Sequence, residues 1–280
     1  MAWLSLLSAI WGDVLTFLNR MIHRPPHAFR DAYEAFYAET YNRLQGWSSR
    51  LPEYMQYSDA NMERSVQGGY GATFVSIHAL QHFMLMRLNR YVRHAEVSAD
   101  LMKRNIRAAH YHAHAFLGML SALRALRQQR TAAMASPTLS DPILIASFVG
   151  HATIAAIDIV SAGGLDNSLR STLDGMNAGL DCLSDLSKYW NSAMSQLNDS
   201  SKRYYQIQNI LSRPFKAHGG AWLGREWGLK DPLEQEFGRE SGKYDCIYPD
   251  DRDGYSRIYF DALKEDIRDV RSPPGSVRII

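Results

Sequence analysis

What most constrains this chain is the spacing of its apolar side chains, which return every three or four residues through one long segment after another. That spacing places them along one side of a helix, whereas a half-buried strand needs strict alternation, and no convincing alternation occurs. The first such run is Leu4, Leu7, Ile10, Trp11, Val14, Leu15 and Leu18, ended by Arg24, Pro25 and Pro26. A second, aromatic-rich run carries Phe29, Tyr33, Phe36, Tyr37, Tyr41 and Leu44, with Gly46 near its end. After a loop around Leu51, Pro52 and Glu53, a third helix is expected near Asp59, whose carboxylate suits an N-cap.

The next run extends from Ala72 to Arg93 and repeats Phe74, Ile77, Leu80, Met84, Leu88 and Tyr91. Gly68, Gly69 and Gly71, just before it, mark a kink or a close helix contact. Ser98 is expected to cap a helix that carries Ile106, Ala109, Phe116, Leu120 and Leu123 to about Arg130. The small and polar residues from Gln128 to Asp141 then read as a surface loop. A hydrophobic helix from Ile143 to Ser161 ends at the Gly163, Gly164 turn, and another helix begins near Leu165. One long amphipathic helix is expected to present Leu180, Leu183, Leu186, Trp190, Met194, Leu197, Tyr204, Ile207 and Leu211. The expected fold is all-α, a multi-helix bundle over residues 1–212. Residues 213–280 form an irregular extension with one short closing helix, Ile258–Val270.

Charge narrows the function. The 31 basic and 29 acidic residues are interspersed and leave a formal net charge of +2. No basic stripe of the kind that neutralises phosphates is present, and Arg87, Arg90, Arg93, Lys103, Arg104 and Arg107 alternate with apolar positions as a solvated face would. The two cysteines, Cys182 and Cys246, are too few for a disulfide framework or a cysteine zinc cluster and suit a reducing compartment. The first helix lacks the basic start of a signal peptide and carries Asp13. His151 and Asp158 interrupt the apolar run from Ile143 to Ala162, so a buried helix is expected there and no membrane span.

The residues that could carry chemistry are mainly histidines. His110 and His114 share a helix face, the spacing that metals use, but no third ligand stands near them in sequence, and His112 points elsewhere. His78 and His82 repeat the spacing, yet Ala79 occupies the place where a zinc protease needs its glutamate. Packing is therefore the expected role of these histidines. Ser161–Gly164 and Gln67–Gly71 are glycine-rich without the strand or lysine of a phosphate loop. Asp245, Asp250, Asp251 and Asp253 lack the terminal glutamate of a calcium loop and read as solvated. The interior, rich in aromatics and methionine, would suit either an ordinary core or an apolar ligand between helices. An effector pocket, where one exists, is expected between the helices bearing His78, His82 and His110, His114, with Asp158 nearby, because these polar groups stand on otherwise apolar faces.

Several stretches resemble the fungal-specific transcription factor domain, the regulatory middle region of fungal zinc-cluster and zinc-finger transcription factors. They are Ile10-Trp11-Gly12-Asp13-Val14, Ala32-Tyr33-Glu34-Ala35-Phe36-Tyr37, Phe74 to His82 with Leu88-Asn89-Arg90, Asn105 to His110, and Ala156 to Gly164, in that order over residues 4–210. The Tyr244 to Leu263 segment also looks like the tail of this family. The resemblance implies an all-helical domain, not an enzyme, that modulates transcription in the nucleus in response to a small-molecule effector, self-association or a co-regulator. It supplies no catalytic residues. No cofactor is expected in this chain, since zinc and direct DNA contact belong to a DNA-binding module that the chain lacks. The expected partner is a related transcription factor or co-regulator in a homo- or hetero-dimer; a stand-alone corepressor or dominant-negative partner is the alternative. The first helix, with Leu7 and Val14, is the expected pairing surface.

Overall fold

The computed structural model describes residues 2–22, 29–90, 99–133, 146–162 and 169–211. Among these residues there are eight α-helices and no strand: α1 (Ala2–Ile22), α2 (Phe29–Ser49), α3 (Asp59–Gln67), α4 (Gly71–Arg90), α5 (Ala99–Ala133), α6 (Ser147–Ala162), α7 (Leu169–Ser187) and α8 (Asn191–Leu211). The all-α multi-helix bundle expected from the spacing is the architecture found. The breaks at 24–26, Tyr91 to Ser98, Ile143, Gly163 to Leu165 and the whole 213–280 extension, with Cys246, the acidic cluster and Ile258–Val270, lie outside the described residues.

The bundle is built around α4. Thirteen of its 20 residues are buried, among them Phe74, Ile77, Leu80, Met84 and Leu88. A helix apolar on nearly every side has no solvent face to offer, so it takes the centre. It packs on α1, α3, α5 and α6; α5 also packs on α6 and α7, and α7 and α8 form a hairpin against α6. The approach of α3 to α4 depends on two glycines. Gly69 has φ +76°, in the left-handed region that side chains resist. A Cβ on Gly71 would lie 3.0 Å from Val66 Cγ2 and 3.2 Å from Val66 Cα, so the two helices touch there almost backbone to backbone.

Four local expectations are corrected. The N-cap of α3 is Ser58, whose hydroxyl accepts from the Asn61 amide at 3.1 Å, and Asp59 is the first helical residue. Helix α5 continues through Gln128 to Ala133, so the expected loop starts later; Arg124 and Arg127 bind Asp181 and Asp185 of α7 and hold its last turns in the bundle. The single helix expected across Leu180 to Leu211 is two, broken at Lys188–Trp190. There Asp185 receives both Arg127 and Lys188, and the Tyr189 and Trp190 amides both turn back to the Leu186 carbonyl at 2.9 Å.

The fourth correction concerns α1. Its Leu7, Ile10, Val14 and Leu18 are all buried within this chain. Trp11 packs against Phe83 of α4 at 5.1 Å between ring centroids, and Phe17 stacks on Phe36 of α2 at 3.9 Å. The Trp47 indole of α2 donates to the Trp3 carbonyl at 3.0 Å. The face expected to await a partner is already covered by α2 and α4. Among the described residues α1 is also the one helix long and apolar enough, by length and composition, to cross a membrane, and 22% of that stretch is buried.

Candidate functional site

Two polar centres interrupt the apolar interior, and both begin on α4. The first is the histidine group. His78 is buried, with Nε2 3.0 Å from the Met55 carbonyl and its ring against Phe74 and Tyr57. A carbonyl only accepts, so Nε2 carries the proton. Burial lowers the His78 pKa to about 4, against the opposing hydrogen bonds to Met55 and Gln81. The ring is therefore neutral at pH 7.

One turn on, His82 Nδ1 lies 3.1 Å from His112 Nδ1 of α5. Burial, then the neighbouring His112 and His78, lower the His82 pKa to about 3; burial lowers that of His112 to about 4. Two neutral rings fit this contact, one donating and the other accepting, whereas two charged rings at this distance would repel. The pair is a hydrogen-bonded tie between the central helices.

His82 thus meets the histidine that sequence spacing set aside. His110 and His114 stack toward each other on α5, 6.0 Å between centroids, and residues two apart on a helix project from roughly opposite sides. His110 is buried and His114 is exposed. Among the described residues no group of three or more histidine, cysteine, aspartate or glutamate side chains is arranged to hold a metal ion.

The second centre surrounds Asp158 on α6. Its carboxylate is buried, with Oδ2 3.6 Å from Arg90 Nη1 at the end of α4 and Oδ1 paired with Arg203 of α8. Two turns earlier on α6, His151 Nδ1 lies 3.2 Å from Gln196 Nε2, again of α8. Burial and the nearby Arg87 charge lower the His151 pKa. Arg90 lies eight residues beyond His82, roughly 12 Å of helix rise, so Asp158 belongs to a centre separate from the His82–His112 pair. The five residues expected around one pocket are divided between these places.

A third group links the helices directly. The Tyr33 hydroxyl of α2 donates to the Leu88 carbonyl of α4 at 2.8 Å and accepts from Asn105 Nδ2 of α5 at 3.0 Å. Burial pushes its pKa upward, so the phenol stays protonated and both bonds persist. Sequence reading placed Tyr33 on an apolar face and missed its hydroxyl. Cys182 is a buried thiol 3.8 Å from Thr153 Oγ1, its pKa pushed up to about 12 by burial, which leaves little thiolate at pH 7.

No family model, curated protein or solved structure matches this chain. The arrangement of its own residues is therefore what bears on function. Helices are tied to one another by buried polar contacts, and His82, His112 and Tyr33, whose pKa values burial shifts, sit in those ties.

Proposed function

We propose that this chain is the regulatory domain of a fungal transcription factor, modulating transcription in the nucleus without catalysis of its own. The observation that carries the reading is that the stretches resembling this family are also each other's polar partners. Tyr33 of one stretch bonds Leu88 of a second and Asn105 of a third, and Arg90 pairs with Asp158 of the last. Residues that define the resemblance thus form the framework joining α2, α4, α5 and α6. Zinc and DNA contact belong, in this reading, to a separate DNA-binding module or to a partner. The response would be to a small-molecule effector or to pairing with a related factor.

The test is to fuse the full chain to a heterologous DNA-binding module in a fungal cell carrying a matched reporter. The expected outcome is a reporter level that differs from the module alone and is lost when Asn105 and Tyr33 are replaced together. Reporter output equal to that of the module alone, with the fusion present in the nucleus, would overturn the reading.

A second reading, an interaction-only partner acting as corepressor or dominant-negative subunit, is favoured by the exposed Met194 and Tyr205 on α8 and Trp190 in the turn before it. It differs in requiring a stable complex with a full-length relative, which the mass of the assembly purified from the native cell would reveal.

A further inference from the structure

Helix α8 divides its apolar side chains between the core and the solvent. Its inward face carries Ala193, Gln196, Ser200, Arg203 and Ile207, all buried, of which three are polar. Of its apolar side chains Met194 (49% exposed) and Tyr205 (61%) turn outward, as does Trp190 (41%) in the turn before it, while Tyr204 packs against the core. Burial of apolar area is what holds most helices in a bundle, at about 25 cal/mol per Å². Here part of that area faces outward, and polar side chains share the inward side with Ala193 and Ile207.

The polar contacts converge on α6. Arg203 pairs with Asp158, which also receives Arg90 of α4, and Gln196 meets His151 two turns away. Gly150 of α6 faces the same side chain, since a Cβ there would lie 2.6 Å from Gln196 Oε1. Helix α8 is joined to α7 through the short Lys188–Trp190 turn and packs along α7 as well as on α6, with few contacts to α4 or α5.

We propose that α8 is a latch, an element that undocks as a unit from α6 and whose closed state is set by the Asp158 carboxylate holding Arg203. Removing one partner of a buried ion pair leaves the other charge desolvated and uncompensated, which costs far more than the pair itself contributes. Opening the latch lets Arg203 return to water, at the cost of the core contacts of Ala193, Tyr204 and Ile207 and of the packing of α8 along α7. The device is independent of what the chain does in the cell, and it would convert any event that draws Asp158 away from Arg203 into a displaced helix.

The test is hydrogen–deuterium exchange of the full chain, read peptide by peptide, with Asp158→Asn and Arg203→Met. In Asp158→Asn, exchange across Asn191–Leu211 should quicken on the order of a hundredfold while Ile77 to Leu88 of α4 and Ala109 to Leu123 of α5 stay unchanged. Arg203→Met leaves Asp158 its contact with Arg90 and keeps the fold testable if the first variant unfolds; it should open α8 alone. Unchanged exchange over α8 in Arg203→Met would overturn the latch. Equal acceleration over α4, α5 and α8 would overturn it as well, because the pair would then support the whole core.

Discussion

The Tyr33 hydroxyl joins three helices, since it binds a main-chain carbonyl of α4 and a side chain of α5 from its place on α2. Tyr33→Phe keeps the ring and strands both partners in the interior. It is expected to lower stability by about 1–3 kcal/mol in urea unfolding, whereas Tyr111→Phe, at an exposed position, should be neutral. The histidines make a second residue-scale test. His78, His82 and His112 have folded pKa values of about 4, 3 and 4, below the ordinary value of 6.5 that the unfolded chain restores. Above pH 6.5 neither state binds these protons and the linkage is nil. As pH falls from there toward 4, only the unfolded state takes them up, so stability is lost by about 1.4 kcal/mol per pH unit per ring. His112→Gln should flatten the dependence measured by urea titrations between pH 7 and pH 5; an unaltered slope would show that the pair is charged or open in the folded state.

At the scale of elements, α1 and α8 reverse the roles that their patterns suggest. Leu7 and Val14 are fully buried against neighbouring helices. Leu7→Ala should therefore cost about 2–5 kcal/mol, and an aspartate at either position should unfold the chain before any effect on pairing can be read. On α8, by contrast, Met194→Ser should change the urea midpoint by no more than about 0.5 kcal/mol of stability, although spacing places Met194 on the core stripe. Periodicity identified helices because each run repeats at the helical interval, but it expected the buried helix at Ile143 to Ala162 and did not show that α4 is buried on nearly every side. Its stripe for α8 placed Ile207 and Tyr204 correctly toward the core, but Met194 is exposed and Gln196, Ser200 and Arg203 lie inward, where Arg203 meets Asp158 of another helix. The turn at Lys188–Trp190 was equally hidden, because it contains no glycine or proline and is shaped by Arg127 reaching Asp185 from α5. The pairing of His82 with His112 required the relative rotation of α4 and α5, which a list of spacings does not contain.

For the whole molecule, the position of α4 determines how the bundle must come apart. It touches α1, α3, α5 and α6, it supplies His82 to the histidine tie and Arg90 to the Asp158 centre, and its Leu88 carbonyl receives Tyr33. No surrounding helix can be lost entirely without exposing one of its faces, but α8, which meets the core through α6 and α7, can leave while α4 stays covered. The amides of Ile77 to Leu88 should therefore exchange only by global unfolding, with an opening free energy equal to that from urea denaturation, while α8 exchanges through a smaller opening. Met84, fully buried at the middle of α4, gives the complementary test. Met84→Asp places a carboxylate in the buried interior of the central helix, and the full chain should then lose helical circular dichroism across the bundle rather than in one element. A variant that keeps the slow exchange of α5 would mean that α5, with its 35 residues and its contacts to α6 and α7, is the true centre and α4 a replaceable neighbour.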